Sequence, residues 1–233
     1  MRHDAPSTTS QRGLSLVELM LGMAIGLFIV AAAVTLLGSQ LRENRSLLLE
    51  ARLMQDLRSA ADLIGRDLRR AGHWGAAADG VWAAGASGVA PNPYTALAPL
   101  AAASDAASFR YSRDAVENHR VDSNEQFGYR LRAGVVEIEL GDGNWQALTD
   151  AGTLSVTEFS VTPTLQTLDL GRFCARPCAA GAVAGTSTCP PTQQLRSLAL
   201  RLTARLLAEP TVSRSLRSEV RLRNDSITGA CPV

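Results

Sequence analysis

Aromatic residues make up only 5% of this 233-residue chain, and the formal net charge is +1. A surface that stacks bases or tracks a polyanion needs more of both, so nucleic acid is not an expected partner. Histidine is scarcer still: His3, His73 and His119 lie in unrelated contexts. His-Glu-x-x-His, Gly-x-Ser-x-Gly and a phosphate-cradling glycine loop are all missing. No catalytic residue, metal set or cofactor is therefore expected, and the chain reads as a non-enzyme. No proline falls between Leu14 and Arg70, which leaves room for an unbroken helix. All four cysteines lie in the last third, so any disulfide framework is confined there.

Charge is nearly absent from one block. From Leu14 to Leu37 the only ionisable residue is Glu18. Those 24 residues would form roughly 36 Å of helix, enough to cross a hydrocarbon core about 30 Å thick. Arg2 and Arg12 precede the block, consistent with a cytoplasmic N-terminus, although Arg42 and Arg45 follow it. A cleaved secretory signal would have a shorter apolar run ending in a small-residue site. Ala31-Ala32-Ala33 could supply such a site, but the apolar run continues past it. A plain signal anchor is the other simple reading. Glu18 argues against both: a carboxylate costs about 3 kcal/mol at a membrane helix centre, less at this shallow position four residues from Leu14, and defaults to a functional role. Cleavage after Gly13 would create an α-amino group at Leu14, mostly cationic at neutral pH. In a low-dielectric bundle that amine could meet the Glu18 of a neighbouring helix.

Gly13-Leu14-Ser15-Leu16-Val17-Glu18 resembles the type IV prepilin signal. The resemblance implies that a peptidase cuts after Gly13 and that Leu14 becomes the N-methylated first residue. Leu14 stands where Phe is usual, and Glu18 falls at the fifth mature position, as in the family. Gly13 suits a peptidase that must approach the backbone closely. Gly22 and Gly26 have a small-xxx-small spacing that can bring membrane helices together. They also weaken the helix, so local unwinding on filament packing is an expectation here.

Beyond Ser39 the pattern becomes amphipathic. Leu49, Leu53, Leu57, Ala60, Ile64 and Leu68 form a helical stripe, and Arg45, Arg52, Arg58, Asp62, Arg66 and Arg69 occupy other faces. Gly72 suits a C-terminal cap. The expected helix is about 55 residues, roughly 80 Å long. Its stripe could serve a coiled coil or cover a sheet. Asp67-Leu68-Arg69-Arg70-Ala71-Gly72-His73-Trp74-Gly75 resembles the stretch closing the long helix of PilW-type minor pilins. His73 stands where Tyr is common, and Ala76 where a Cys often follows.

Residues 75–107 are rich in Ala, Gly and Pro with little periodicity, and read as an irregular connection. Strand-like runs follow: Ser108–Ser112, Phe127 to Leu131, Val136 to Leu140, Leu154–Thr162, Leu198 to Leu206 and Leu216 to Leu222. Gly141-Asp142-Gly143-Asn144 is a turn. Period-two runs with one apolar face predict an antiparallel sheet covered on one side. Cys174, Cys178, Cys189 and Cys231 predict two disulfides, with three pairings open. A four-Cys zinc site is the rival, but paired Cys-x-x-Cys knuckles are absent.

The expected fold class is α+β and type IV pilin-like. A leader (1–13) precedes a transmembrane helix (14–38) and its amphipathic continuation (39–72). A connecting region (73–107) then leads to an antiparallel β-sheet domain with a cysteine-containing loop (108–233). The resemblance implies a minor pilin of the inner membrane, single-pass, with its C-terminal domain periplasmic and later in the pilus fibre or tip. Its implied partners are other minor and major pilins, prepilin peptidase and the inner-membrane assembly platform. A J-type pseudopilin of type II secretion is the alternative within this class. A membrane-anchored periplasmic binding module or enzyme is the alternative outside it.

Overall fold

The computed structural model describes residues 13, 15–80, 90–182 and 189–232. Its longest element is helix α1, Leu16–Leu68. The chain divides into two compact units, Met1–Leu48 and Leu49–Val233.

In the first unit the described chain is almost entirely helical. Apolar side chains project all round it, and large ones such as Leu21, Phe28 and Val34 are exposed. A helix apolar on every face needs an apolar surrounding. Its most apolar stretch buries nothing against the rest of the chain. Length and composition therefore suit a membrane span. Thr35 and Ser39 donate their hydroxyls to the carbonyls of Ala32 and Leu36, which satisfies these polar groups within the helix.

The second unit opens with the rest of α1, where burial becomes one-sided. Leu53, Leu57, Ala60, Ala61, Ile64, Gly65 and Leu68 are buried, a stripe at steps of three and four. Two sheets share its core rather than the single sheet expected from the alternation. The first is an antiparallel run of β1 (Leu97–Ala98), β2 (Ala106–Arg110), β3 (Gln126–Arg132), β4 (Val135–Glu139) and β5 (Trp145–Ala147) in chain order. The second comprises β6 (Leu154–Asp169), β7 (Thr192–Leu206) and β8 (Ser213–Arg221), with β9 (Ser226–Thr228) also paired to β7. Period-two patterns report faces, not partners, so alternation alone does not reveal the split. A bridge between Ser104 and Val161 links the sheets.

The β6–β7 pairing is the framework of this unit, running in register from Leu154↔Leu206 to Asp169↔Thr192. A bulge at Val156/Glu158 interrupts it. Before the bulge Leu154 and Val156 face the core; after it Phe159 and Val161 do. The extra residue switches the inward parity from even to odd. On β7 Leu198, Leu200, Leu202, Ala204 and Leu206 are buried, while Ala199, Arg201 and Arg205 face out. In the first sheet Phe109, Tyr111, Phe127 and Tyr129 stack, with the Tyr111 and Phe127 ring centroids 3.9 Å apart.

Three boundaries differ from expectation. Helix α1 ends at Leu68, and the next residues tighten into turns, with Arg70 N–H bonded to Asp67 O and Ala71 N–H to Leu68 O. The connecting region already contains β1 and the start of β2, and it buries Tyr94 completely. Strand β6 continues past Thr162 through Pro163 to Asp169, held by its pairing with β7. A run whose side chains are largely exposed, as these are, carries no apolar alternation to find.

Candidate functional site

The residues singled out from sequence fall in three places. Near the chain start, Gly13 is exposed, and a Cβ built there would meet nothing within 4 Å. Leu14 lies outside the described residues. Ser15 donates its backbone N–H to the Glu18 carboxylate at 3.4 Å. The carboxylate thus folds back over the first turn, where unpaired N–H groups make the helix end electropositive. Glu18 is itself exposed, and it sits four residues from Leu14 in sequence. The helix runs unbroken through Gly22 and Gly26, each with open space where a Cβ would stand.

The second place is the end of α1, where Asp67 to Gly75 are gathered into one junction. Tyr129, fully buried, donates its hydroxyl to Asp67 Oδ2 at 2.8 Å. Burial pushes the Tyr129 pKa far up, and the adjacent Asp67 carboxylate raises it further, so the hydroxyl stays a donor. The Arg70 guanidinium lies 4.1 Å from the centre of the Tyr111 ring. Burial also raises the Tyr111 hydroxyl pKa, partly offset by Arg70. Asp67 and Arg70 therefore clasp the aromatic stack of the first sheet.

Gly72 has φ +76°, a left-handed conformation that glycine adopts freely, and its N–H bonds to Arg110 O at 2.8 Å. Carbonyls in the turns that follow α1 accept from side chains. Asn224 Nδ2 donates to Ala71 O at 3.0 Å and to Arg70 O at 3.4 Å, and Asn92 Nδ2 donates to Gly72 O at 2.9 Å. Arg196, only 4% exposed, donates to Thr95 O at 2.7 Å and to Asn224 O at 2.8 Å. Burial lowers its pKa from the ordinary arginine value, and nearby Asp225 opposes that shift. A cation at a helix C-terminus is favourably placed.

Trp74 is buried edge-on to His119, with ring centroids 5.7 Å apart. Gly75 donates its N–H to Glu117 Oε2 at 2.9 Å, and a Cβ on Gly75 would stand 2.9 Å from that oxygen. Glu117 Oε1 also accepts from the Tyr94 hydroxyl at 3.1 Å and the His119 N–H at 3.0 Å. Burial would raise the Glu117 pKa, but these hydrogen bonds outweigh it and hold the carboxyl below its ordinary value. Another carboxylate, the fully buried Glu125, accepts from the backbone N–H groups of Arg113 at 2.7 Å and Asp122 at 2.9 Å.

The cysteines form two bridges, Cys174–Cys231 and Cys178–Cys189. Among the described residues no group of three His, Cys, Asp or Glu side chains is placed to hold a metal ion. His73 joins no such group.

Arg196, Asn224, Tyr94 and Glu117 were not singled out from sequence. One signal existed for Arg196: it shares the even, inward parity of Leu198 to Leu206 on β7. Another existed for Glu125, since Asp122-Ser123-Asn124-Glu125 has capping-box spacing and forms that box. Nothing local marked Asn224, which caps a helix end more than 150 positions earlier.

Two family models match the chain. One, described as the prokaryotic N-terminal methylation motif, covers residues 8–34. The other, described as prepilin peptidase-dependent protein B, covers residues 46–222. The first spans Gly13, Leu14 and Glu18, and the second spans residues 67–75, both sheets except β9, and three of the four cysteines. No curated protein and no solved structure matches the chain.

Proposed function

Because the chain belongs to the prepilin peptidase-dependent protein B family, we propose that it is a minor pilin of a type IV pilus, of the PilW type. The observation that carries this reading is the pairing of a methylation motif over residues 8–34 with a pilin-like head on the same long helix. Hydrolysis of the Gly13–Leu14 peptide bond leaves a carboxylate on the leader and an amine on Leu14, which is then methylated. The apolar helix anchors the chain in the inner membrane, with the head on the periplasmic side. Entry into the filament follows extraction from the bilayer through the assembly platform. The partners are other minor and major pilins.

Glu18 is the assembly residue in this reading. The amine of Leu14 on one chain and the Glu18 carboxylate of a neighbour neutralise each other inside the helix bundle, where either charge alone would be costly. That requirement sets register between chains. Gly22 and Gly26 allow the close approach that such a pair needs. The Asp67-to-Gly75 resemblance favours the PilW type over the J-type pseudopilin of type II secretion.

Glu18→Ala tests the mechanism. Cleavage after Gly13 should be largely intact, while incorporation into sheared pili should fall by an order of magnitude or more, about the effect of 1.4 kcal/mol in an equilibrium. Normal incorporation of the variant would refute the charge-pair role. Deleting the gene separates the two assemblies: lost surface pili with normal protein secretion supports the pilus, and the reverse supports the secretion system.

A further inference from the structure

Residues Arg223–Cys231 follow β8 and cross the head as a strap. At one end the strap closes the junction: Arg223 N–H bonds to Arg69 O, and Asn224 caps Arg70 O and Ala71 O. In its middle, β9 pairs with Thr192–Gln194. Asp225 accepts from Gln193 Nε2 at 2.8 Å, and the Thr192 and Thr228 hydroxyls meet at 2.9 Å. At the far end Cys231 is bonded to Cys174, just after β6.

The strap has almost no apolar anchor. Ser226 is its one buried residue, and Ile227 is 40% exposed. Polar bonds exchange with water at small net gain, and three paired residues make a marginal strand. The covalent bond to Cys174 is the one strong tie. It closes a span of 57 residues, and so removes much of the freedom of the open chain.

We propose that formation of the Cys174–Cys231 disulfide is the switch that closes this strap and thereby caps the end of α1. In the dithiol form the strap leaves β7, Ala71 O loses its cap, Arg70 O keeps only the His73 N–H, and buried Arg196 loses its acceptor on Asn224. The step is a thiol–disulfide exchange whose oxidant is a protein disulfide. One cysteine thiolate attacks that disulfide and expels a carrier thiolate. The second cysteine thiolate then displaces the carrier from the mixed disulfide. Two protons and two electrons leave the pair, and the carrier departs as a dithiol. Oxidation outside the reducing cytoplasm would thus set when the helix junction is complete, whichever filament the chain joins.

Amide hydrogen exchange on the full chain in detergent tests this, comparing the oxidised protein with C174S/C231S and C178S/C189S. The first double variant should exchange at least about tenfold faster in 69–73, 192–194 and 224–228, with Leu198–Leu206 unchanged. The second should match the oxidised protein in all of these segments. Asn224→Ala, which keeps both bridges, should loosen 69–73 but leave 226–228 protected. Unchanged protection in C174S/C231S would overturn the proposal. So would a loss spreading through Leu198–Leu206, or an equal loss in C178S/C189S. If C174S/C231S does not accumulate, stepwise reduction of the native protein supplies the same comparison, and the same outcomes decide.

Discussion

The two stretches of helix α1 have the same backbone and opposite relations to their surroundings. Leu16–Leu37 carries apolar side chains on every face and buries none of them against protein. Leu49–Leu68 confines them to one stripe and buries Leu53, Leu57, Ile64 and Leu68 almost completely. What separates the two stretches is the distribution of charge around the helix. The difference teaches that a single helix can hold two kinds of stability: one drawn from a lipid or helical surrounding, the other from its own head.

That contrast is broken most sharply by deleting packing. Leu57→Ala should destabilise the head by about 2–5 kcal/mol, because a fully buried side chain leaves a cavity. Leu21→Ala should leave head stability unchanged. Chemical denaturation of the full chain in detergent, followed by near-ultraviolet circular dichroism, measures both. Equal effects would mean that the two stretches do not differ as described.

A smaller effect is expected at the junction. Tyr129→Phe removes the hydroxyl donated to Asp67 and leaves a carboxylate without that partner. The expected cost is about 1–3 kcal/mol, read from the same denaturation curve. A neutral result would mean that Asp67 finds water instead.

The smallest effect is a pH dependence. Glu117 is held below its ordinary pKa in the folded chain. A depressed carboxylate contributes stability that is fully present above its unfolded pKa and is lost as pH falls through the folded pKa. Acid should therefore weaken the anchoring of Gly75 to Glu117 below the ordinary carboxylate range. Glu117→Gln should flatten that part of the stability–pH curve. An unchanged curve would remove Glu117 from the junction's energetics.

Much of this was legible in the sequence, for physical reasons. The span, the stripe and the inward parity of β7 each leave a periodic trace. The bulge in β6 left one too, in the switch from Leu154 and Val156 to Phe159 and Val161. The cap by Asn224, the clasp of Tyr129 on Asp67 and the pairing of the cysteines are long-range. Each is fixed by which strands meet, and no local spacing encodes that. Arg196 was hidden differently: its parity pointed inward while its charge suggested solvent, and Thr95 and Asn224 resolve the conflict by supplying carbonyl acceptors. Asp67-to-Gly75 was recognisable as a motif before its mechanics were visible. The structure gives Asp67, Arg70, Gly72, Trp74 and Gly75 separate tasks at one junction.

N-terminal sequencing of the protein, from cells with and without prepilin peptidase, bears most directly on the proposed role. With the peptidase, the chain should begin at Leu14 and carry an N-methyl group; without it, the leader through Gly13 should be retained. A chain that keeps residues 1–13 in both strains would contradict the prepilin reading.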